Sequence, residues 1–172
     1  MSARDLKVIR NAGETFPFNV DDRDTSGASA VFEPGEPVKI GGAGNNFIIL
    51  LATGDPEIAV DIFVGVGRRQ SNELAASDGV MDVITLLPNT MIRAFATTPG
   101  NMNTAAELLG IRNDYVTFDL TGAVFTIDEN EGDDPNVHGL KIKGGDIVRG
   151  TLDVIPHINV TESGPLIGQT MD

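Results

Sequence analysis

Apolar and polar residues alternate with a period of two along much of the chain that follows residue 31. The clearest stretch is residues 58–66, where every second position is apolar: Ile58, Val60, Ile62, Val64 and Val66. Alternation of this kind is typical of a β-strand that buries at least one face. The pattern therefore predicts strands, and this stretch is the most regular of them.

Turn residues separate the apolar stretches at short intervals, as in Pro34-Gly35, Gly54-Asp55-Pro56 and Pro88-Asn89. Strands that recur roughly every 8–12 residues between such turns indicate an antiparallel barrel or sandwich. The predicted fold class is mostly β, an antiparallel β-barrel or sandwich with one short helix and an extended N-terminal arm. Strands are predicted at 37–40, 47–51, 58–66, 80–87, 91–96, 115–120, 123–127, 140–142, 147–148, 152–155 and 158–160.

One short helix interrupts the strands at residues 104–109. Asn103 is suited to cap its first turn, Glu107 lies near its N-terminus, and Gly110 ends it. A helix this short is stable only when it packs on other elements. We expect its packed side to consist of Ala105, Leu108 and Leu109.

The chain divides into an N-terminal arm at residues 1–30, a β-rich body at 31–160 and a tail at 161–172. The arm shows neither strand nor helix periodicity, and its residues 21–30 are almost all polar or small. A segment of this composition buries too little apolar surface to fold alone, so it must lie on another surface or stay mobile. Its apolar anchors are Phe16, Phe18 and Val20, and its basic residues are Arg4, Lys7 and Arg10.

Composition excludes several classes of function. The net charge of −13 and the lack of a basic stripe argue against nucleic-acid binding, and the absence of cysteine excludes disulfides and thiolate metal sites. The longest apolar run, residues 47–52, is far shorter than the roughly 20 residues that a membrane helix needs. No secretory signal pattern is present, so we expect synthesis in a cytoplasm and no membrane partner.

The sequence contains no convincing catalytic, cofactor or metal site. Residues 128–134 begin like a calcium loop, but Gly132, Asp133 and Gly139 occupy later positions where the loop requires a ligand, a glycine and a glutamate. A solvated acidic loop is the favoured interpretation, and an irregular carboxylate site stays open. His138 and His157 are interpreted as turn or surface residues, and Arg68-Arg69 as a strand-end or subunit-interface feature. We expect no enzyme activity and no cofactor.

The order of turns and strands in the centre of the chain resembles the capsid decoration, or cement, proteins of tailed bacteriophages. The resemblance covers roughly residues 31–98 and is carried by turn-and-strand motifs rather than by a catalytic signature. The motifs are Gly35-Glu36-Pro37-Val38, Gly54-Asp55-Pro56, Val64-Gly65-Val66-Gly67, Ser77-Asp78-Gly79-Val80-Met81-Asp82-Val83, Leu87-Pro88-Asn89-Thr90 and Arg93-Ala94. Asn89 stands where the family often has glycine.

This resemblance implies a homotrimer on the outer surface of the virion, bound to the major capsid protein and bridging its subunits. It also implies that the N-terminal arm clamps on the capsid or on a neighbouring copy. The capsid contacts would then be Arg4, Lys7, Arg10, Phe16 and Phe18, and the subunit interface would include Arg68 and Arg69.

Two alternatives stay open from the sequence. One is another β-barrel virion protein, of the tail, the fibre base or the head–tail junction, which would be present in fewer copies. The other is a glycan-binding or glycan-active β-protein that uses carboxylates such as Asp128, Asp133 or Asp134. The scarcity of aromatic platforms, with one Tyr and no Trp, disfavours the second alternative.

Overall fold

A computed structural model describes residues 6–20, 32–41, 47–58, 61–71, 79–121 and 124–157. Arg4, the predicted strand 158–160 and the tail 161–172 lie outside these residues. The described part of the chain is mostly β, as predicted, with one short helix. Its strands are β1 Lys7–Val20, β2 Pro37–Gly41, β3 Phe47–Leu50, β4 Phe63–Gly67, β5 Gly79–Phe95, β6 Tyr115–Thr121, β7 Val124–Asp128, β8 Leu140–Asp146 and β9 Thr151–Pro156; a 3₁₀ turn spans Pro99–Met102 and the helix α1 spans Ala105–Gly110.

The nine strands form one sheet in the order β1-β3-β2-β4-β5-β9-β8-β6-β7. Because β1 pairs with β3 and also with β5, the first five strands complete a closed circuit of pairings. A bridge between Ala96, just after β5, and Ile127 of β7 links the other end of the sheet back to β5. The architecture is therefore barrel-like, with β5 shared by both halves.

The strand β1 shows that part of the predicted arm belongs to the body. It is extended, as predicted, but it pairs antiparallel with β5 of its own chain along most of its length, from Lys7 opposite Arg93 to Val20 opposite Gly79. Leu6 and Val20 are buried at the two ends of this segment. The described part of the arm is thus a structural strand, and the division of the chain into arm, body and tail otherwise stays a prediction.

The predicted turn at Pro88-Asn89 is wrong, because β5 runs through it without reversing. At this point the ladder with β1 is irregular, and Asn11 adopts a positive φ of 49°. The buried Thr90 hydroxyl accepts the Leu87 N–H at 2.6 Å and donates to the Asn11 carbonyl at 2.6 Å. Local hydrogen bonds therefore replace regular ladder bonds, and Pro88, which has no N–H, lies exposed at the irregularity.

Two apolar clusters fill the sheet. The larger one joins both halves and includes three aromatic rings in edge contact: Phe63 and Phe118 have centroids 5.9 Å apart, and Phe118 and Phe125 6.4 Å apart. The smaller cluster lies among the first five strands and consists of Val20, Phe32, Val38, Ile48, Val64, Met81 and Val83. Burial of these side chains, at about 1.5–3 kcal/mol each, is the main stabilising term of the fold.

Among the described residues of the alternating stretch 58–66, the strand β4 begins at Phe63, and every residue of β4 is buried. Phe63 and Val66 enter the larger cluster while Val64 enters the smaller one. Ile62, predicted to lie on the buried face, is 42% exposed. The prediction of a strand with at least one buried face is therefore confirmed for β4, which is covered on both faces.

The predicted strand at 147–148 is wrong, because these residues form the turn between β8 and β9. The Asp146 carboxylate accepts the N–H groups of Val148 at 3.1 Å and Arg149 at 3.2 Å, and Gly150 has a positive φ of 64°. Val148 is 97% exposed as a result. An aspartate that accepts the next N–H groups is a common turn signal.

The helix lies where it was predicted, but its cap and its packed side differ. Thr104, not Asn103, is the N-cap, and it forms a reciprocal capping box with Glu107. Only Leu108 packs against the larger cluster, while Ala105 is exposed and Leu109 is 65% exposed. The helix therefore rests on the sheet through one leucine.

Candidate functional site

The described part of β1 carries basic and apolar side chains that face solvent. Lys7 and Arg10 are exposed, and Ile9 and Phe16 are exposed by 41% and 46%. On the partner strand β5, Leu87 is also half exposed. It follows Leu86, which pairs with Ala12 of β1. We call Lys7, Ile9, Arg10, Phe16 and Leu87 the β1 surface. These residues are spread along the two paired strands, with Lys7 opposite Arg93 and Phe16 opposite Val83, and together they present positive charge and exposed apolar side chains.

Phe16 and Phe18 have different roles in this strand. They pair with Val83 and Met81 of β5, and Phe18 packs against the smaller core cluster. Phe16 lies two residues before Phe18 in β1, but almost half of its surface is exposed to solvent. Phe18 therefore contributes largely to folding, and Phe16 is the aromatic residue of the pair that is available to a partner.

Arg68 and Arg69, predicted to form a subunit interface, are exposed just after β4. The Arg69 guanidinium lies 3.8 Å from the Asp82 carboxylate, and the Arg68 backbone N–H donates to the Asp82 carbonyl at 2.8 Å. Exposed pairs of this length contribute little to stability, at most about 1 kcal/mol. The two side chains are accessible, and no neighbouring copy is required to explain their placement.

The most concentrated charged site in the described residues was not predicted from the sequence. The Lys39 ammonium on β2 lies 2.7 Å from Asp55 Oδ2 and 2.6 Å from Asp61 Oδ1. Asp55 also accepts the Ala52 N–H at 2.6 Å, and Asp61 accepts the Glu57 N–H at 2.9 Å. One amine and two carboxylates thus share a partly buried position beside the loop between β3 and β4.

The two carboxyls affect each other as well as Lys39. Burial raises the pKa of Asp55, the hydrogen bonds from Lys39 and Ala52 lower it, and the neighbouring Asp61 raises it further, with a net upward shift. Burial lowers the pKa of Lys39, but its hydrogen bonds and its attraction to both aspartates outweigh this and raise it overall. The resting site therefore contains an ammonium ion, and Asp55 takes up a proton at a higher pH than an ordinary aspartate does because its pKa is raised.

The two histidines, interpreted as turn or surface residues, both approach Tyr115 of β6. His138 is buried, with its Nδ1 3.0 Å from the Tyr115 carbonyl, and its Nε2 lies 3.7 Å from Glu131 Oε1. His157 lies against the Tyr115 ring at 4.4 Å between centroids, and its Nε2 is 3.1 Å from the Pro135 carbonyl. His138 lies at the end of a turn, as predicted, but it is buried there, and both rings help to hold the 131–138 loop.

The acidic loop after β7 uses its carboxylates to accept backbone N–H groups, both within the loop and from Tyr115 of β6. Asp128 accepts the Asn130 N–H at 3.0 Å, Asp133 accepts the Tyr115 N–H at 2.8 Å, and Asp134 accepts the Asn136 N–H at 2.9 Å. Within the described ranges, no three His, Asp or Glu side chains converge as a metal site would require. Glu129 of this loop is buried and accepts the Thr98 N–H at 2.8 Å, so the solvated interpretation does not hold for this residue.

The charged network escaped prediction because its three members are far apart in the sequence. Gly54-Asp55-Pro56 was interpreted only as a turn, and Asp61 as a polar position in an alternating strand. The signal available in the sequence was Asp61, an aspartate within an apolar stretch. Its partner Lys39 lies on β2, which the fold brings close to that stretch.

No protein-family model matches this chain, and no curated protein matches it in sequence. Among the described residues, no helix is both long and apolar enough to cross a membrane.

Proposed function

We propose that this chain is a structural binding protein that decorates the head of a tailed bacteriophage and bridges subunits of the major capsid protein. The observation that carries the proposal is the β1 surface, where Lys7 and Arg10 flank the exposed Ile9 on a chain of net charge −13. A positive patch on an otherwise acidic protein favours an acidic partner and steers it to that face.

The rigidity of β1 supports its role as a docking strand. Its backbone is already ordered by pairing with β5, so binding does not have to order it again. Burying the exposed halves of Ile9, Phe16 and Leu87 would contribute about 1 kcal/mol each, half of the value for full burial. Such a modest surface becomes a tight attachment when several copies of an oligomer bind together.

The first experiment measures the copy number of the chain in purified particles against the major shell protein. A ratio near one per shell subunit supports decoration of the whole head. A few copies per particle would point instead to the tail, the fibre base or the head–tail junction. Absence from particles would contradict any role in the virion.

The second experiment tests the β1 surface with side-chain variants. We expect Lys7→Glu combined with Arg10→Glu, and separately Phe16→Ser, to lower occupancy on undecorated heads at least tenfold. The matched controls are Arg112→Glu and Val148→Ser, which change an exposed charge and an exposed apolar residue outside this surface. Full occupancy by the β1 variants would contradict the proposed docking face.

A further inference from the structure

The Lys39 site has the components of a reactive site as well as those of an ion network. Lys39 Nζ lies 2.7 Å from Asp55 Oδ2 and 2.6 Å from Asp61 Oδ1, so the amine is held directly beside both carboxyl groups. The side chain of Asp61 is only 4% exposed, and those of Asp55 and Lys39 are 13% and 17% exposed. Little water therefore surrounds the three groups.

We propose that Lys39 and Asp61 form an intramolecular amide bond between Nζ and Cγ, with Asp55 transferring the protons. This covalent cross-link would join β2 to the segment before β4. It is independent of the proposed decoration function, because it depends only on the three side chains and their surroundings.

Asp61 is the better electrophile of the two aspartates. It is the most buried of the three groups, and its Oδ2 accepts the Glu57 N–H while Oδ1 faces the amine. This N–H can stabilise the negative charge that develops on Oδ2 when nitrogen attacks the carboxyl carbon. Asp55 is suited to carry protons because burial, with a contribution from Asp61, raises its pKa and keeps it protonated over a wider pH range.

The reaction balances without any further reactant. The Lys39 ammonium first transfers a proton to Asp61, which leaves a neutral amine and a carboxylic acid. Nζ then attacks Cγ, and the N–C bond forms. Asp55 gives its proton to the departing hydroxyl and takes one from the nitrogen. One water leaves, the C–O bond is broken, and Asp55 ends in its starting protonation state.

The fold supplies the proximity that this reaction needs. Well-oriented intramolecular reactions reach effective concentrations of about 10⁵–10⁸ M, so a correctly placed amine and carboxyl group meet a lower activation barrier than they would in dilute solution. Lys39 is held by strand pairing opposite Phe63, and the Asp55 backbone is tied to Phe118 at 2.7 Å. Phe63 and Phe118, whose rings contact each other in the core, thus hold the backbone at Lys39 and at Asp55.

The test is the intact mass of the denatured full chain after incubation at neutral pH. We expect a mass below that of the sequence by one water, and a proteolytic fragment that joins the peptides containing Lys39 and Asp61. A wild-type chain of full sequence mass would overturn the proposal. Because the reaction depends on the fold, circular dichroism of each variant before denaturation shows whether a full mass reflects lost chemistry or lost folding.

Variants separate the roles of the three residues. Lys39→Arg should restore the full mass, and Lys143→Arg, which removes a lysine outside the site, should retain the deficit. Asp61→Asn should lose one ammonia in place of one water, and Asp55→Asn should show full mass. A deficit that persists in Lys39→Arg would come from dehydration elsewhere and would overturn the proposal. Ammonia loss in Asp55→Asn with full mass in Asp61→Asn would overturn the assignment of roles.

Discussion

Arg93 and Asp153 face each other directly across β5 and β9, and their side chains form a two-point ion pair. Arg93 Nε lies 2.6 Å from Asp153 Oδ1, and Nη2 lies 2.8 Å from Oδ2. On the other edge of β5, Lys7 of β1 stands opposite Arg93. Asp153 therefore compensates positive charge at the place where the two halves of the sheet share a strand.

We predict that Arg93→Ala lowers the free energy of unfolding by about 1–2 kcal/mol, because a partly buried bidentate pair is stronger than an exposed one. The matched control is Arg149→Ala, which breaks the exposed 3.6 Å contact with Asp146 and should cost less than about 0.5 kcal/mol. Denaturant unfolding of both variants measures the difference. Equal losses would show that the bidentate geometry adds nothing.

Deleting residues 1–20 should unfold the body, because the deletion removes a whole strand from the sheet. It would leave one edge of β5 unpaired and remove the buried Leu6 and Val20. A chain lacking only residues 1–5 retains the whole of β1 and is the matched control. Circular dichroism during heating distinguishes them. A normal melting curve for the chain that lacks residues 1–20 would show that β1 is not needed for folding. If that chain is unfolded, capsid binding has to be tested with the β1 side-chain variants instead.

Gly65→Ala should destabilise the protein by about 3 kcal/mol or more, at the upper end of the cost of overpacking a core. A Cβ at this position would lie 2.1 Å from the Ile84 carbonyl oxygen on the paired strand, and backbone atoms cannot move aside cheaply. Gly132→Ala is the matched control, because its Cβ would meet nothing within 4 Å. Thermal melting of both variants checks the prediction, and similar melting temperatures would contradict it.

The stability of the chain should depend on the protonation of His157. Burial lowers its pKa below the ordinary 6.5, Lys141 lowers it further, and the Pro135 carbonyl opposes them. The unfolded chain then binds the proton more readily, so this stabilising contribution is present above pH 6.5 and is lost as the pH falls from there through the lower folded pKa.

His157→Phe, which retains a ring against Tyr115, should remove this part of the pH dependence. The measurement is the free energy of unfolding of both proteins across the range from pH 8 to pH 5, where histidines titrate. The wild-type value should fall more steeply than that of the variant toward acid pH. Parallel curves would mean that His157 titrates alike in the folded and unfolded chains.

Local patterns were sufficient to predict the strands whose hydrogen bonds follow a simple hairpin or ladder. The prediction matched β2, β3 and β7 within one residue, because turn residues bound each of them. It failed at Pro88, because the bonds made by Thr90 and Asn11 that let β5 continue depend on a strand from the start of the chain. No local pattern contains that information.

The candidate surface was predicted in part, and the Lys39 site was missed entirely. Exposed basic and aromatic residues on β1 follow from composition, so Lys7, Arg10 and Phe16 were identified. Their anchoring to β5 was not foreseen, because the segment lacks periodicity and its pairing is long-range. The contact of Lys39 with Asp55 and Asp61 depends on how one loop folds back on β2, which sequence spacing does not determine.

The shared strand β5 also affects how the chain can fold during synthesis. Ile92 pairs with Val8 near the beginning of the chain and with Val154 near its end, so the sheet cannot close until β9 has left the ribosome. Long-range pairing of this kind slows folding. Until then, one edge of β5 is open to any other extended chain, including another nascent copy. The risk of misassembly therefore concentrates in the interval between the synthesis of β5 and that of β9.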